Sequence, residues 1–146
     1  MRWRTLGVLL VTLGFCTSVR AQDSPFLGIW RLTGESTPSE VHYIINLPTP
    51  GGFTSLRISV EKDNRTNTEV HPVAFDRKPY ATTGGDAREI SYKQINANTI
   101  ERTQNRNGKI SVDTEEVSTD GKTLSVKQAT GTRVYSRQFS VQDPGK

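Results

Sequence analysis

Few side chains in this sequence have the type and spacing that chemistry requires. The two histidines, His42 and His71, each fall on a predicted strand, and no cysteine lies beside them as a second kind of zinc ligand. Serines are frequent, but the sequence contains no G-x-S-x-G nucleophile elbow. We therefore predict ordinary surface or pocket-rim histidines, no catalytic residue, no metal and no cofactor. A hydrolase or isomerase without a recognisable motif is the weakest functional hypothesis.

Three acidic residues cluster within 113–116. Asp113 and Glu115 share one face of a predicted strand, and Glu116 lies on the other face. Acid–base catalysis would need two carboxyl groups facing each other across a substrate. The alternation along one strand is more typical of a solvated face, and we predict that role for this cluster.

Arg102 is the most informative charged residue. By strand alternation it shares a face with Ile100, which should point inward, and Tyr92 points inward on the neighbouring strand. Buried arginine is rare unless it is paired. One hypothesis is a polar anchor for a ligand carboxylate, aided by Tyr92. The alternative places Arg102 near an open end, with its stem packed and its guanidinium in water.

A β-meander over 87–128 must position these groups. Runs of alternating polar and apolar residues are separated by short segments with turn chemistry, at 96–98, at Asn107-Gly108 and at Asp120-Gly121. Asn and Gly tolerate the positive φ that a two-residue hairpin loop requires. Such short links permit only antiparallel neighbours.

Five further strands are predicted outside the meander. They fall within 26–32, 41–47, 53–61, 67–75 and 133–141. Leu56, Ile58 and Val60 alternate with polar residues, as in a half-buried strand, while Pro72 indicates a bulge or an edge. Segment 76–86 contains too many breakers for regular structure and is predicted as the longest irregular loop.

About eight to nine strands with short links and no long helix predict an all-β fold. The strands could stack as a sandwich or close into an antiparallel up-and-down β-barrel, and sequential hairpins favour the barrel, which removes exposed edges. At this size the interior is either filled by side chains or holds one small ligand.

The first 21 residues have the pattern of a secretory signal peptide. Arg2 and Arg4 precede an apolar stretch at 6–15, and a small residue, Ala21, closes a cleavage-like site. The apolar stretch is shorter than the about 20 residues that span a bilayer. We predict a mature domain over 22–146 that is exported, periplasmic or secreted, with no transmembrane span; an uncleaved anchor is the alternative.

Removal of this leader changes the charge and the cysteine content. The chain carries 19 basic and 15 acidic residues, and loss of Arg2, Arg4 and Arg20 leaves 16 against 15. A balance of +1 gives no support for a nucleic-acid partner. The only cysteine, Cys16, also leaves; the bulky Phe15 before it argues against a lipoprotein anchor, and disulfides are not expected.

The triplet Gly28-Ile29-Trp30 resembles the G-x-W motif of lipocalin-like (calycin) barrels. The resemblance implies that Trp30 closes one barrel end and that a basic residue of the last strand packs across its ring. Arg137 is the matching candidate, with Arg133 as the alternative. Stretches at 78–86, 98–101 and 120–124 also resemble small exported bacterial proteins of unknown function, a likeness that extends over more than half of the mature chain.

The leading functional hypothesis is non-covalent binding of a small, partly apolar molecule inside the barrel. Ligand contacts are predicted from six residues, with Ile44 as an alternative to Tyr43: Trp30, Tyr43, Tyr92, Arg102, Tyr135 and Arg137. The second hypothesis is an envelope structural or protein-interaction module with a filled core and no ligand. The oligomeric state is left open.

Overall fold

A computed structural model describes residues 24–34, 41–85 and 88–140 as one all-β domain. Its ten strands are β1 (Gly28–Thr33), β2 (Val41–Thr49), β3 (Gly52–Val60), β4 (Thr66–Ala74), β5 (Tyr80–Ala81), β6 (Glu89–Asn96), β7 (Thr99–Arg106), β8 (Lys109–Val117), β9 (Thr123–Gln128) and β10 (Gly131–Phe139). The predicted signal peptide, its cleavage site, Cys16 and the C-terminal tail lie outside the described residues.

The strands form one antiparallel sheet with up-and-down connections. Its order is β4-β3-β2-β1-β10-β9-β8-β7-β6-β5, so every strand except β4 and β5 pairs with both of its neighbours in this order, and β1 pairs with β10. The two edges, β4 and β5, approach each other, and Val70 of β4 exchanges two backbone hydrogen bonds of 2.8 and 2.9 Å with Thr83, which follows β5. The predicted antiparallel barrel is therefore confirmed, and it is nearly closed.

The tenth strand comes from the segment predicted to be irregular. Tyr80 and Ala81 pair with Ile90 and Glu89 of β6, and a single bridge at Thr83 completes the circle. The breakers in 76–86 limit β5 to two residues, which explains why its alternation is too short to detect. The count of eight to nine strands was low for this reason.

The turn chemistry of the meander is confirmed. Asn107 and Gly108 have φ values of 52° and 83°, and they join β7 to β8 in register from Arg106–Lys109. Asn tolerates this region and Gly enters it without steric cost. The turns at Ala97-Asn98 and at Asp120-Gly121 join the other pairs of strands.

The apolar core fills one end of the barrel. Trp30 is fully buried, and it lies in a cluster with Phe26, Phe53, Val117 and Leu124. Phe26 stacks on Phe53 with ring centroids 6.4 Å apart. Burial of several large side chains at about 1.5–3 kcal/mol each makes this end the main source of stability.

The polar face of β3 points inward. Ser55 is buried and Arg57 lines the interior, whereas Leu56, Ile58 and Val60 are only half-buried on the outer face. Register forces this choice, because Ser55 pairs with inward His71, and a shift of one residue would turn every side chain of the strand over. Polar groups thus enter the interior on this side of the barrel.

Among the described residues, none forms a helix long and apolar enough to cross a membrane.

Candidate functional site

A cavity of about 540 Å³ occupies the half of the barrel opposite the Trp30 cluster. Strands β2, β3, β4 and β7 to β10 supply its wall together with Arg88, which precedes β6, and its rim contains Arg106 and Lys109, which flank the β7–β8 turn. Six side chains of the wall are cationic and one is a carboxylate: Arg57, Arg88, Arg102, Arg106, Lys109, Arg133 and Glu69. The cavity is therefore open, polar and rich in positive charge.

Two buried carboxylates lie beneath the cavity and hold two of these arginines. Glu115 accepts a hydrogen bond of 2.6 Å from Arg57, and its Oε1 lies 3.4 Å from Nε of Arg102. Asp113 accepts a hydrogen bond of 2.5 Å from Nη2 of Arg102 and one of 2.7 Å from Nε2 of Gln104. Asp113 and Glu115 are 3% and 2% exposed, so the predicted solvated face is wrong. Inward register, with Asp113 opposite Arg102, buries these carboxylates beside their partners.

The third buried carboxylate, Glu69, joins a chain of polar groups on the β4 side. Its side chain forms an ion pair with Arg88 and lies 3.2 Å from Nδ1 of His71. Nε2 of His71 is 2.9 Å from the hydroxyl of Tyr92, and the two rings stack. His71 is 1% exposed, so its prediction as a surface or rim residue is wrong, whereas His42 does line the cavity.

Burial and neighbouring charge set the ionisation of this layer. Burial by itself would raise the pKa of Glu115, but the charges of Arg57 and Arg102 lower the pKa below its usual range. Burial likewise opposes ionisation of Glu69, and the hydrogen bond from His71 with the charge of Arg88 lowers its pKa. Both carboxylates are therefore held ionised.

The pKa values of Arg57 and His71 shift in opposite directions. Burial would lower the pKa of Arg57, but the Glu115 carboxylate beside it raises the pKa on balance. Burial lowers the pKa of His71 despite its contact with Glu69, and Arg57 lowers it further. The layer thus combines charged ion pairs with a neutral imidazole.

The closed end is organised around Trp30. The guanidinium carbon of Arg137 lies 4.1 Å from the centroid of the indole ring, and Trp30 Nε1 donates to the carbonyl of Phe26 at 3.0 Å. Arg137 also donates to the carbonyls of Pro25, Leu27 and Gly121 at 2.6, 2.8 and 2.5 Å. The structure therefore selects Arg137 over Arg133 as the basic residue on the Trp30 ring.

The six predicted ligand contacts fall into two groups. Arg102 and Tyr135 line the cavity, and Tyr43 borders it, although alternation with buried Ile44 directs the Tyr43 ring outward. Trp30 and Arg137 lie at the closed end, and Tyr92 is buried on His71. Arg102 is 3% exposed and ion-paired, so the alternative of a guanidinium in water is wrong.

Sequence reasoning missed three members of the charged layer, Arg57, Glu69 and Arg88. The available signal was the polar alternation Ser55–Arg57–Ser59, which was not assigned to the interior. Arg88 directly precedes β6, and no periodic pattern in the sequence marks it as an inward residue.

Within the ranges described, no three His, Cys, Asp or Glu side chains are grouped so that they could hold a metal ion. No protein-family profile matches this chain, and no curated protein or solved structure matches it significantly. The barrel itself is compatible with a lipocalin-like fold.

Proposed function

We propose that this chain is an exported barrel of lipocalin-like type that binds one small molecule non-covalently in the open half of its interior. The observation that carries the proposal is the cavity of about 540 Å³, which lies in the size range of ligand pockets, about 300–1,000 Å³. One end is sealed by the Trp30 cluster, so a ligand would enter and leave at the rim.

The wall suits a molecule that is only partly apolar. Ile44, Val126 and Tyr135 give an apolar strip, whereas most of the remaining wall is charged or carries hydroxyl and amide groups. Polar groups in such numbers fix orientation and select for matching polar groups on the ligand. The membership in the calycin group and the bacterial export that the sequence resemblance implies are part of this proposal.

The test combines a search for bound ligand with a blocked cavity. Ser111 lines the exposed rim, and replacing it with Trp should fill the entrance without disturbing the buried layer. Thr114→Trp is the matched control, because Thr114 lies on the outer face of the same strand. Native mass spectrometry of protein purified from its own host should show an added small mass in the wild type and in T114W, and none in S111W. An identical spectrum for all three without added mass would contradict the proposal.

A second candidate is an interaction module that needs no ligand. Its supporting observation is an in-register row of apolar residues across the outer face of five strands: Phe139, Ile29, Ile45, Leu56 and Val70. Arg31 is the one charged residue on the described outer face of β1–β4. If two copies of the chain met through this face, the two Arg31 side chains would be the only charges on it that repel each other. The occupant would then be a second copy of the chain.

Light scattering separates the two candidates. A dimer that becomes monomeric in Leu56→Lys, with no effect of S111W on any bound mass, would favour the interaction module. A monomer at micromolar concentration would exclude this face as a stable interface.

A further inference from the structure

We propose that the ligand of this cavity is a small organic anion whose oxyanion group is held by Lys109 and Arg133 at the rim. This inference rests on the proposed function and names the ligand class. It differs from the expectation that Arg102 is the anchor, because Arg102 is already engaged by Asp113 and Glu115.

The buried layer has no free positive charge of its own. Arg57, Arg88 and Arg102 face Glu115, Glu69 and Asp113, one carboxylate for each guanidinium. An anion that displaced one of these carboxylates would leave it buried without a partner, which is costly. The layer therefore serves as a neutral floor, and the selectivity for charge must come from elsewhere.

The rim, in contrast, carries uncompensated cations. Lys109 and Arg133 line the cavity, and neither makes an ion pair within 24–34, 41–85 or 88–140. Glu69 is the one carboxylate in the wall, and it belongs to the floor. No acidic side chain in the described wall is thus left to neutralise the rim.

The positive charge is concentrated in the cavity rather than spread over the molecule. A chain without residues 1–21 has 16 basic and 15 acidic residues, and the cavity wall holds six of the basic residues. Three of these six are neutralised by the floor carboxylates, so the excess positive charge lies at the rim, where Lys109 and Arg133 make no ion pair among the described residues. A concave site lined by one sign of charge focuses the field and raises the local concentration of the opposite ion. Such a distribution selects small anions that enter a cavity, not extended polyanions.

The arginines also offer more donors than the protein accepts. Nε of Arg57, Arg88 and Arg102 is buried without a hydrogen-bond acceptor among the described residues. Burial lowers the pKa of Arg88, and the charges of Arg102, Arg106 and Arg57 lower it further. The Glu69 carboxylate beside Arg88 opposes this decrease, in line with the pairing of each buried guanidinium with one carboxylate.

The geometry gives the anion a defined orientation. Arg133 and Lys109 line the cavity and are exposed, whereas Ile44, Val126 and Tyr135 line the cavity and are buried. A molecule with one oxyanion and a compact apolar or aromatic body satisfies both regions. Its charged group stays at the rim, where the incoming anion loses less hydration than in the buried layer.

Two fluorescent probes with the same ring system test the charge requirement. The anion 1-anilinonaphthalene-8-sulfonate and the uncharged N-phenyl-1-naphthylamine differ by the sulfonate group. Fluorescence titration of the full chain should show one anion bound per chain, with a dissociation constant at least about tenfold lower than that of the neutral probe. Added salt should weaken the binding of the anionic probe and leave the binding of the neutral probe unchanged.

Rim variants test the residues. Lys109→Met and Arg133→Met should each raise the dissociation constant of the sulfonate about threefold to tenfold, and the double variant more, without affecting the neutral probe. The control is Lys93→Met with Lys127→Met, which removes the same charge from the outer face and should leave both probes unchanged.

The outcomes separate this inference from the proposed function. If both probes bind equally, both are lost in S111W, and K109M with R133M has no effect, the cavity binds ligands but the anion inference is overturned. If S111W leaves the binding of both probes unchanged, the cavity is not the site and both proposals fail.

Discussion

Arg137 connects three separate parts of the chain at the closed end of the barrel. Its guanidinium covers the Trp30 ring and donates to carbonyls that precede β1 and follow β8. A methionine could keep the contact area but none of the hydrogen bonds. One residue of the last strand therefore holds the N-terminal entry of the barrel and the β8–β9 turn together.

We expect Arg137→Met to lower the free energy of unfolding by about 2–3 kcal/mol, because hydrogen bonds from a charged donor and the cation–π contact are lost together. Arg133→Met, four residues earlier and exposed, should change it by less than about 0.5 kcal/mol. Urea denaturation followed by circular dichroism measures both. Equal stabilities would show that the Arg137 contacts contribute nothing.

Glu115 holds the buried layer together as Arg137 holds the closed end, since it lies against both Arg57 and Arg102. We expect Glu115→Gln to destabilise the barrel by about 3 kcal/mol, because it leaves buried guanidinium charge without compensation. The neighbouring Glu116→Gln removes an exposed pair with Lys127 and should cost about 0–1 kcal/mol. Thermal unfolding of these two variants, whose positions are adjacent, tests whether E115Q loses more stability than E116Q.

At the scale of the elements, the weakest part of the barrel is the seam between β4 and β6. β5 contributes two residues, and the bridge from Val70 to Thr83 adds two backbone hydrogen bonds. The ion pair between Glu69 and Arg88 crosses the same seam. Closure therefore depends on a few contacts, and the glycines after Thr83 make them possible.

Gly84→Ala should open this seam. Gly84 has φ of +78°, and an added Cβ would lie 2.2 Å from the carbonyl oxygen of Thr68. Gly108 has a similar φ of +83° with no atom within 4 Å, so Gly108→Ala isolates the backbone cost of about 1–2 kcal/mol.

We expect G84A to be less stable than G108A and to accelerate amide hydrogen exchange at Val70 and Thr83, which donate the bridging hydrogen bonds. Exchange measured by mass spectrometry, peptide by peptide, would show this. Slow exchange at the bridge in G84A would mean that the backbone shifts to accept the methyl group.

For the whole molecule, the buried layer makes stability depend on pH. Burial lowers the pKa of His71 from its ordinary 6.5, so below this pH the unfolded chain binds a proton that the folded chain does not. The lowered pKa of Glu69 and Glu115, from an ordinary 4.5, acts in the same direction at lower pH. Stability is therefore greatest above about pH 6.5 and falls as the pH decreases, by up to about 1.4 kcal/mol per pH unit for each such proton.

His71→Gln should remove the part of this decrease that begins near pH 6.5 and weaken the lower-pH part due to Glu69, whose pKa the hydrogen bond from His71 lowers, while the part due to Glu115 remains. His42→Gln, at the only other histidine, should retain both parts. Midpoints of urea unfolding measured at several pH values test this. A wild-type midpoint that is constant from pH 7 to 5 would contradict the assignment to His71.

The order and direction of the strands could be predicted from turn residues and alternation in the sequence. Asn107-Gly108, Asp120-Gly121 and the alternation around them predicted hairpins, and hairpins in series predict an up-and-down sheet. Trp30 at a sealed end followed from the G-x-W resemblance. β5 was not predictable, because two residues hold no period and the bridge that pairs them is a long-range contact.

The sequence by itself determined where the chain turns and which residues alternate, since both depend on the conformational preferences of neighbouring residues. Only the tertiary structure decided which face of each strand points inward. In β3 and β8 the inward face is the polar one, because Arg57 of β3 meets Glu115 of β8 across the barrel, while Asp113 of β8 pairs with Arg102 on the neighbouring β7. A buried charge is tolerable only beside its partner, and for Arg57 that partner comes from a strand that is distant in sequence.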